Sequence, residues 1–306
     1  MIRNLNRHIK LLFVIVLIVN ISLFAKILDT KGQWKISTGT SVEYTIEEAN
    51  WTVQYGDLSE SGEGSQFDNV KINPSGTFEV EVINVDDQWG VEFVVDNSTE
   101  VSTGVITTDT FVFEFVKYLY YPAEECARIT TEGFNSVSIK HGPYMPAWFF
   151  IEPNQELWDY FDEISAIEFH KTKENNFDFE AYFESFFELR DNQAIFDLHM
   201  YGDFINDTLE TNMQFDHNIK FVWQESSGIL LGYRVNSYLS GEYENQTITE
   251  NLLMTCKQTE YSLPDFKFYA YTGFIPGYGF GITIISLIFL LTFGFLIKKQ
   301  KKLVGK

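Results

Sequence analysis

Between Val42 and Cys256 the apolar residues fall repeatedly on every second position, and that beat restricts most of the chain to β-strands. Val42, Tyr44 and Ile46 alternate with Glu43, Thr45 and Glu47, and Trp51, Val53 and Tyr55 repeat the pattern. Phe78, Val80 and Val82 alternate with Glu79 and Glu81; beyond a turn at Asp86 and Asp87, Trp89, Val91, Phe93 and Val95 answer them. A period of two places such residues on one face of a pleated strand, so this is a hairpin with one wet face. Phe111, Phe113 and Phe115 continue the strand pattern. Between 177 and 189, Phe177, Phe179, Ala181, Phe183, Phe187 and Leu189 hold odd positions and acids hold even ones, which predicts a strand despite a helix-like length. Asp191 and Asn192 then supply a tight turn, and Phe196, Leu198 and Met200 run back. Ile219, Phe221 and Trp223 lead to a turn at 226–228; Ile229, Leu231, Tyr233 and Val235 follow, then a turn at Gly241 and a last strand through Ile248 and Leu252 to Cys256. One stretch has helical spacing: Asn154 as N-cap, Glu156 in the first turn, and Leu157, Trp158, Phe161 and Ile164 on one face. The expected fold is mainly β, a β-rich α+β body built as an antiparallel meander or half-barrel with one or two short helices.

Aromatics make up 17% of the chain, and such side chains suit a pleated surface where their bulk packs across neighbouring strands. The surplus has two readings. One is a core filled with phenylalanine. The other is an apolar ligand groove, for which Trp148, Phe149, Phe150, Trp158, Phe161 and Phe183 are the candidates, because ligand sites are concave and largely apolar.

The two ends differ in kind from this body. Residues 1–25 and 273–306 contain no Asp or Glu, so all 43 acids lie between them; the eight basic residues at the ends leave 14 inside, a net charge of -29 for the middle. Such a body repels phosphate backbones and anionic lipid, which argues against a nucleic-acid partner. Residues 1–10 are basic and 11–25 form an apolar run ending in Ala25, the layout of an export signal. From Gly279 to Ile297 there are 19 uncharged, mostly apolar residues, about 28 Å of helix at 1.5 Å each, close to the hydrocarbon thickness of a bilayer. Lipid offers backbone amides no hydrogen bonds, so this run spans as a helix, and the lysines that follow it keep the C-terminus cytoplasmic. The expected organisation is therefore an export signal at 1–25, an extracytoplasmic domain at 26–272 and a single-pass anchor with basic tail at 273–306, in the cell membrane.

The order Ile275, Pro276, Gly277, Tyr278, then a glycine-containing apolar helix and a lysine tail, resembles the C-terminal sorting segments of archaeal surface proteins, and the whole layout resembles those of the choice-of-anchor S type. That resemblance implies cleavage near Pro276, Gly277 and Tyr278, with exchange of the helix for a lipid; a plain Pro-Gly turn between body and helix is the other reading. The run WQESSGILLGYRV from Trp223 to Val235 is similar to the hairpins of bacterial lipoprotein-carrier proteins, half-barrels that hold acyl chains. Neither resemblance carries a functional residue to this chain.

Cys126 and Cys256 both lie on the outward side, where a pair is commonly a disulfide; closing a loop of this length would stabilise by about 4–5 kcal/mol on a chain-entropy basis. Two buried thiols are the alternative. Asn50, Asn97, Asn206 and Asn245 each precede any residue and then Thr, as glycosylation acceptors in exposed loops would. Catalytic and cofactor signatures are missing: no glycine-flanked serine elbow, no pair of histidines four apart, no phosphate-binding glycine loop, no metal-ligand spacing. His141, His170, His199 and His217 are scattered, and the acid clusters Asp86 with Asp87, Glu124 with Glu125, and Asp159, Asp162 with Glu163 lack the spacing of a calcium loop. The expectation is a non-enzymatic surface protein, structural or partner-binding, with a carrier of lipid-like ligands as the alternative and a carboxylate-dependent hydrolase below it.

Overall fold

The computed structural model describes residues 34–86, 89–122, 125–126, 129, 146–167, 169–170, 179–206 and 211–268. Strand β1 (Ser41–Tyr55) organises it. Its even-numbered apolar residues, Tyr44 and Ile46, and its odd-numbered ones, Ala49, Val53 and Tyr55, are all buried in one core. A bulge between Ile46 and Glu48 makes this possible, because one extra residue moves the inward beat from even to odd within a continuous strand. Along one side β1 pairs with β12 (Gln246–Gln258); along the other its first part pairs with β5 (Thr77–Asp86) and its second with β2 (Leu58–Glu63).

Antiparallel pairing extends in both directions. β6 (Gly90–Asp96) and β7 (Val101–Ile106) continue beyond β5, while β11 (Leu230–Tyr243), β10 (Thr211–Gln224), β9 (Gln193–Asn206) and β8 (Phe179–Arg190) continue beyond β12. The order is β7-β6-β5-β1-β12-β11-β10-β9-β8, with β2 beside β1 as the tenth strand. A small hairpin, β3 (Ser65–Phe67) with β4 (Val70–Ile72), stands apart from that ladder. The meander expected from the alternation is thus real, and β1, distant in sequence, joins its last strand to the N-terminal hairpins.

Two-residue hairpins set the register. Asp191 and Asn192 both have positive φ, 53° and 60°, the mirror-image turn that matches strand twist. Glu244 and Asn245 do the same at 49° and 60°, and they, not Gly241, make the turn between β11 and β12. Gly241 lies inside β11, where a Cβ would come within 2.1 Å of the Asn212 carbonyl oxygen. That glycine marks a close approach of two backbones, the other reason for a glycine in a strand.

Phe111, Phe113 and Phe115 depart from the strand pattern. They belong to helix α1 (Thr108–Leu119), not to a strand. Thr107 caps it by accepting from the Thr110 amide, Asp109 sits in the first turn and Lys117 in the last, each suited to the helix dipole. Its buried residues Phe111, Val112, Phe115, Val116 and Leu119 form a stripe of helical period. Helix α2 (Gln155–Ser165) matches expectation: the Asn154 side-chain oxygen accepts from the Leu157 amide at 2.8 Å, and Leu157, Trp158, Phe161 and Ile164 are buried. Both helices lie on the sheet face that carries Phe196, Phe221 and Trp223, here called the inner face.

Among the described residues no helix is long and apolar enough to cross a membrane. The export segment 1–25, the junction at Pro276, Gly277 and Tyr278, and the apolar run 279–297 lie outside the described residues.

Candidate functional site

The six candidates for an apolar groove are all buried, and their rings fill the inner face. Trp148 packs 5.3 Å from Phe115 and 5.2 Å from Phe221; Phe149, one residue on, meets Tyr44, Phe78 and Phe93. Phe150 meets Phe93, and a β-bridge to Ile229 ties its segment to the start of β11. Phe161 of α2 stacks on Trp223 at 5.4 Å, with Trp158 beside it. Phe183 of β8 stacks on the His170 ring at 4.8 Å. Edge-to-face and offset contacts of this kind add to the burial of each ring, and together they make one interlocked core.

A pair of carboxyl groups is buried within that core. Glu250 takes an inward position of β12, and Glu125, from the segment after α1, reaches it; they are 5% and 2% exposed. The Tyr55 hydroxyl of β1 lies 2.9 Å from Glu125 Oε1 and also contacts Glu250 Oε1, and the Tyr121 hydroxyl donates to Glu250 Oε2 at 2.9 Å. One phenol proton serves one acceptor fully, so the second contact is best satisfied when a carboxyl brings a proton of its own. Burial, and next the charge of Glu125, push Glu250 up to about 7, so the pair holds a shared proton through the acidic range. Burial, then both carboxylates, push the neighbouring Cys126 thiol well up, which keeps it protonated. The pair can store and release a proton. Sequence spacing hid it, since Glu250 and Glu125 lie far apart; the one legible hint was an acid on the apolar beat of Ile248, Leu252 and Met254.

Cys126 and Cys256 are two buried thiols and are not bonded to each other, which overturns the expected disulfide. The reason is distance along a strand. Cys126 feels the charge of Glu250, whereas Cys256 stands six residues further along β12, about 20 Å at the rise of a strand and well beyond the reach of a disulfide.

A second polar array covers the opposite, outer face. Glu184, His199 and Asn218 form one cross-strand rung of β8, β9 and β10, and Asp197 with Lys220 forms the next on β9 and β10. His199, 1% exposed, has Nε2 3.0 Å from Asp216 Oδ1 and Nδ1 3.3 Å from Glu184 Oε2. Burial opposes its charge, but the two carboxylates outweigh that and raise its pKa. Lys220 pairs with Asp197 at 2.6 Å. The chain beyond β12 runs over these rungs as a strap. Tyr261 bonds Gln193, Leu263 packs on Ile195 and Val222, Asp265 pairs with Arg234 at 2.7 Å, the Lys267 amide donates to Asp197, and Asn218 donates to the Phe268 carbonyl. The other histidines also have partners. His170 meets the Tyr120 hydroxyl at 2.8 Å and His217 Nε2 donates to the Tyr118 carbonyl; burial outweighs the backbone hydrogen bonds, which favour the charged ring, and lowers the two to about 4 and about 3. His141 lies outside the described residues.

The remaining expected sites fall in varied places. Asn50 stands in mid-β1, paired on both sides, and not in a loop. Asn97 lies in the turn after β6 with its amide donating to Lys71 and its oxygen accepting from Thr99 and Glu100. Asn245 is exposed in its hairpin, and Asn206 ends β9. Asp86 accepts from the Trp89 amide; Asp159, Asp162 and Glu163 lie on α2; Asp87 and Glu124 are outside the described residues. Among the described residues no group of three or more His, Cys, Asp or Glu is arranged to hold a metal ion. No protein-family model, curated protein or solved structure matches this chain.

Proposed function

We propose that this chain is a surface protein tethered by its C-terminal apolar run, and that its β-rich body is a non-enzymatic, partner-binding module of the envelope. The observation that carries the reading is the filled inner face: α1, α2 and Trp148 to Phe150 occupy the side where a ligand would lie, so the outer surface is what the body offers. The strap supports the tether, because Phe268, which Asn218 holds, precedes the apolar run by only eleven residues. Anchor type, whether a retained helix or a lipid exchanged near Pro276 to Tyr278, belongs to this proposal too. Added protease should digest residues 26–272 on intact cells and leave a membrane-embedded C-terminal fragment; recovery of the uncut chain from the cytosol would reject the reading.

A carrier of lipid-like ligands is the second reading, favoured by one observation: two helices and one short segment occupy the inner face, so their departure would expose it. Native mass spectrometry of the detergent-extracted protein checks it. A bound acyl lipid that survives activation would move the assignment to a carrier.

A further inference from the structure

The ten-stranded sheet ends on β7 at one side and on β8 at the other, and the two edges differ in how they are guarded. An unpaired edge exposes a row of backbone donors and acceptors, which proteins usually blunt with charges, proline or a covering element. β8 carries acids, but bases of the same chain answer them: Glu184 meets His199 and Glu188 meets Arg190 at 3.0 Å. β7, of sequence VSTGVI, has no charge and no proline. Val101 and Val105 on it are 53% and 55% exposed, and near them Ile83 at the β5 bulge and Trp89 in the β5–β6 turn are 43% and 68% exposed. Its other side is closed, since Phe67 of β3 packs on Phe93 and Ser102 donates to Asp68 of the β3–β4 hairpin.

Charge selects the occupant. No Lys or Arg occurs between Lys71 and Lys117, whereas residues 77–106 hold seven acids. The rungs behind the edge run Glu79, Asp96, Val101; Glu81, Val94, Thr103; and Asn84, Glu92, Val105. Two copies joined edge to edge would bring two acidic β5–β6 hairpins together and deepen the negative potential there, and anionic lipid would be repelled likewise. A strand with apolar residues on the beat and lysine or arginine at its ends meets both features: its backbone completes the ladder, and its bases reach toward Glu92 and Asp96 on β6.

Resting on the partner-binding reading above, we propose that β7 is the docking edge for an extended cationic segment of another protein, which adds to the sheet as an eleventh strand. The full-length protein in neutral detergent is titrated, by fluorescence anisotropy, with a synthetic peptide of alternating valine and threonine flanked by lysines. Saturable binding is expected, weakening with salt. Val105→Lys, which places a charge on the edge at an exposed position, should weaken it at least about tenfold, and Glu92→Gln about threefold. N-methylation of one alternating set of peptide nitrogens should abolish binding, because those N–H groups enter the ladder. Absence of binding, equal binding to Val105→Lys, or tolerance of methylation in both sets would overturn the proposal. So would a dimer in sedimentation that Val105→Lys dissociates, which would give the edge to a second copy. These results are independent of protease access on intact cells, so the surface reading can stand while this one falls.

Discussion

Glu250 occupies an inward position of β12 between Ile248 and Leu252, where an ionised carboxylate would lose its water. Its raised pKa fixes the sign of a pH effect. The native state binds the proton more tightly than the unfolded chain, so this contribution is complete below about 4.5 and is lost as pH rises to about 7. Urea denaturation at a series of pH values should show the fall, and Glu250→Gln should flatten it; an unchanged profile in the variant would mean that Glu250 does not hold the proton. The same residue shows how a local pattern misleads. Alternation reports which way a side chain points, and Glu250 shares the beat of Ile248 and Leu252; only the fold brings Glu125, Tyr55 and Tyr121 around it to make that position tolerable.

At the scale of elements, the stretch 111–115 separates what periodicity can resolve from what it cannot. Three phenylalanines at alternate positions fit a strand, but over twelve residues the stripe Phe111, Val112, Phe115, Val116, Leu119 fits a helix, and Thr107 starts it. A window of five residues is too short to distinguish the two periods. The structure also divides the three rings by energy. Phe115 is fully buried among Trp148, Phe161, Phe196 and Phe221, while Phe113 is 40% exposed. Phe115→Ala should therefore cost about 3–5 kcal/mol and Phe113→Ala less than about 1, measured by denaturant midpoints. Equal costs would place 111–115 in a strand with all three rings on one face. Bulges pose the same difficulty in β1: the beats of Val42 to Ile46 and of Trp51 to Tyr55 look like two strands because one extra residue reverses the phase.

Over the whole molecule, the strap makes the outer face of β9 and β10 part of the folded unit. Asp197 is fully buried and holds both the Lys220 ammonium and the Lys267 amide, so removing one partner leaves a carboxylate with little to offset its desolvation. Lys220→Met should cost about 3–5 kcal/mol, and adding Asp197→Leu should recover much of it. A single variant as stable as the parent protein would show that water, not the strap, covers Asp197. Leu263 adds a separate small contact with Ile195 and Val222, and Leu263→Ala should loosen the strap by about 2 kcal/mol without altering the inner face, read as faster hydrogen exchange in 261–268 alone.

Pattern and composition by themselves determined that the body is built of antiparallel strands, that Asn154 opens a helix, and that the acids are confined to the middle of the chain. These are properties of neighbouring residues, and the two-residue and 3.6-residue periods express them directly. Only tertiary structure decided that β1 closes on β12, that Cys126 and Cys256 stay apart, that Glu125 meets Glu250, and that β7 ends the sheet with its valines uncovered. Each of these depends on which distant strands pair and in what register, and many pairings can bury the same apolar face, so no local period encodes them.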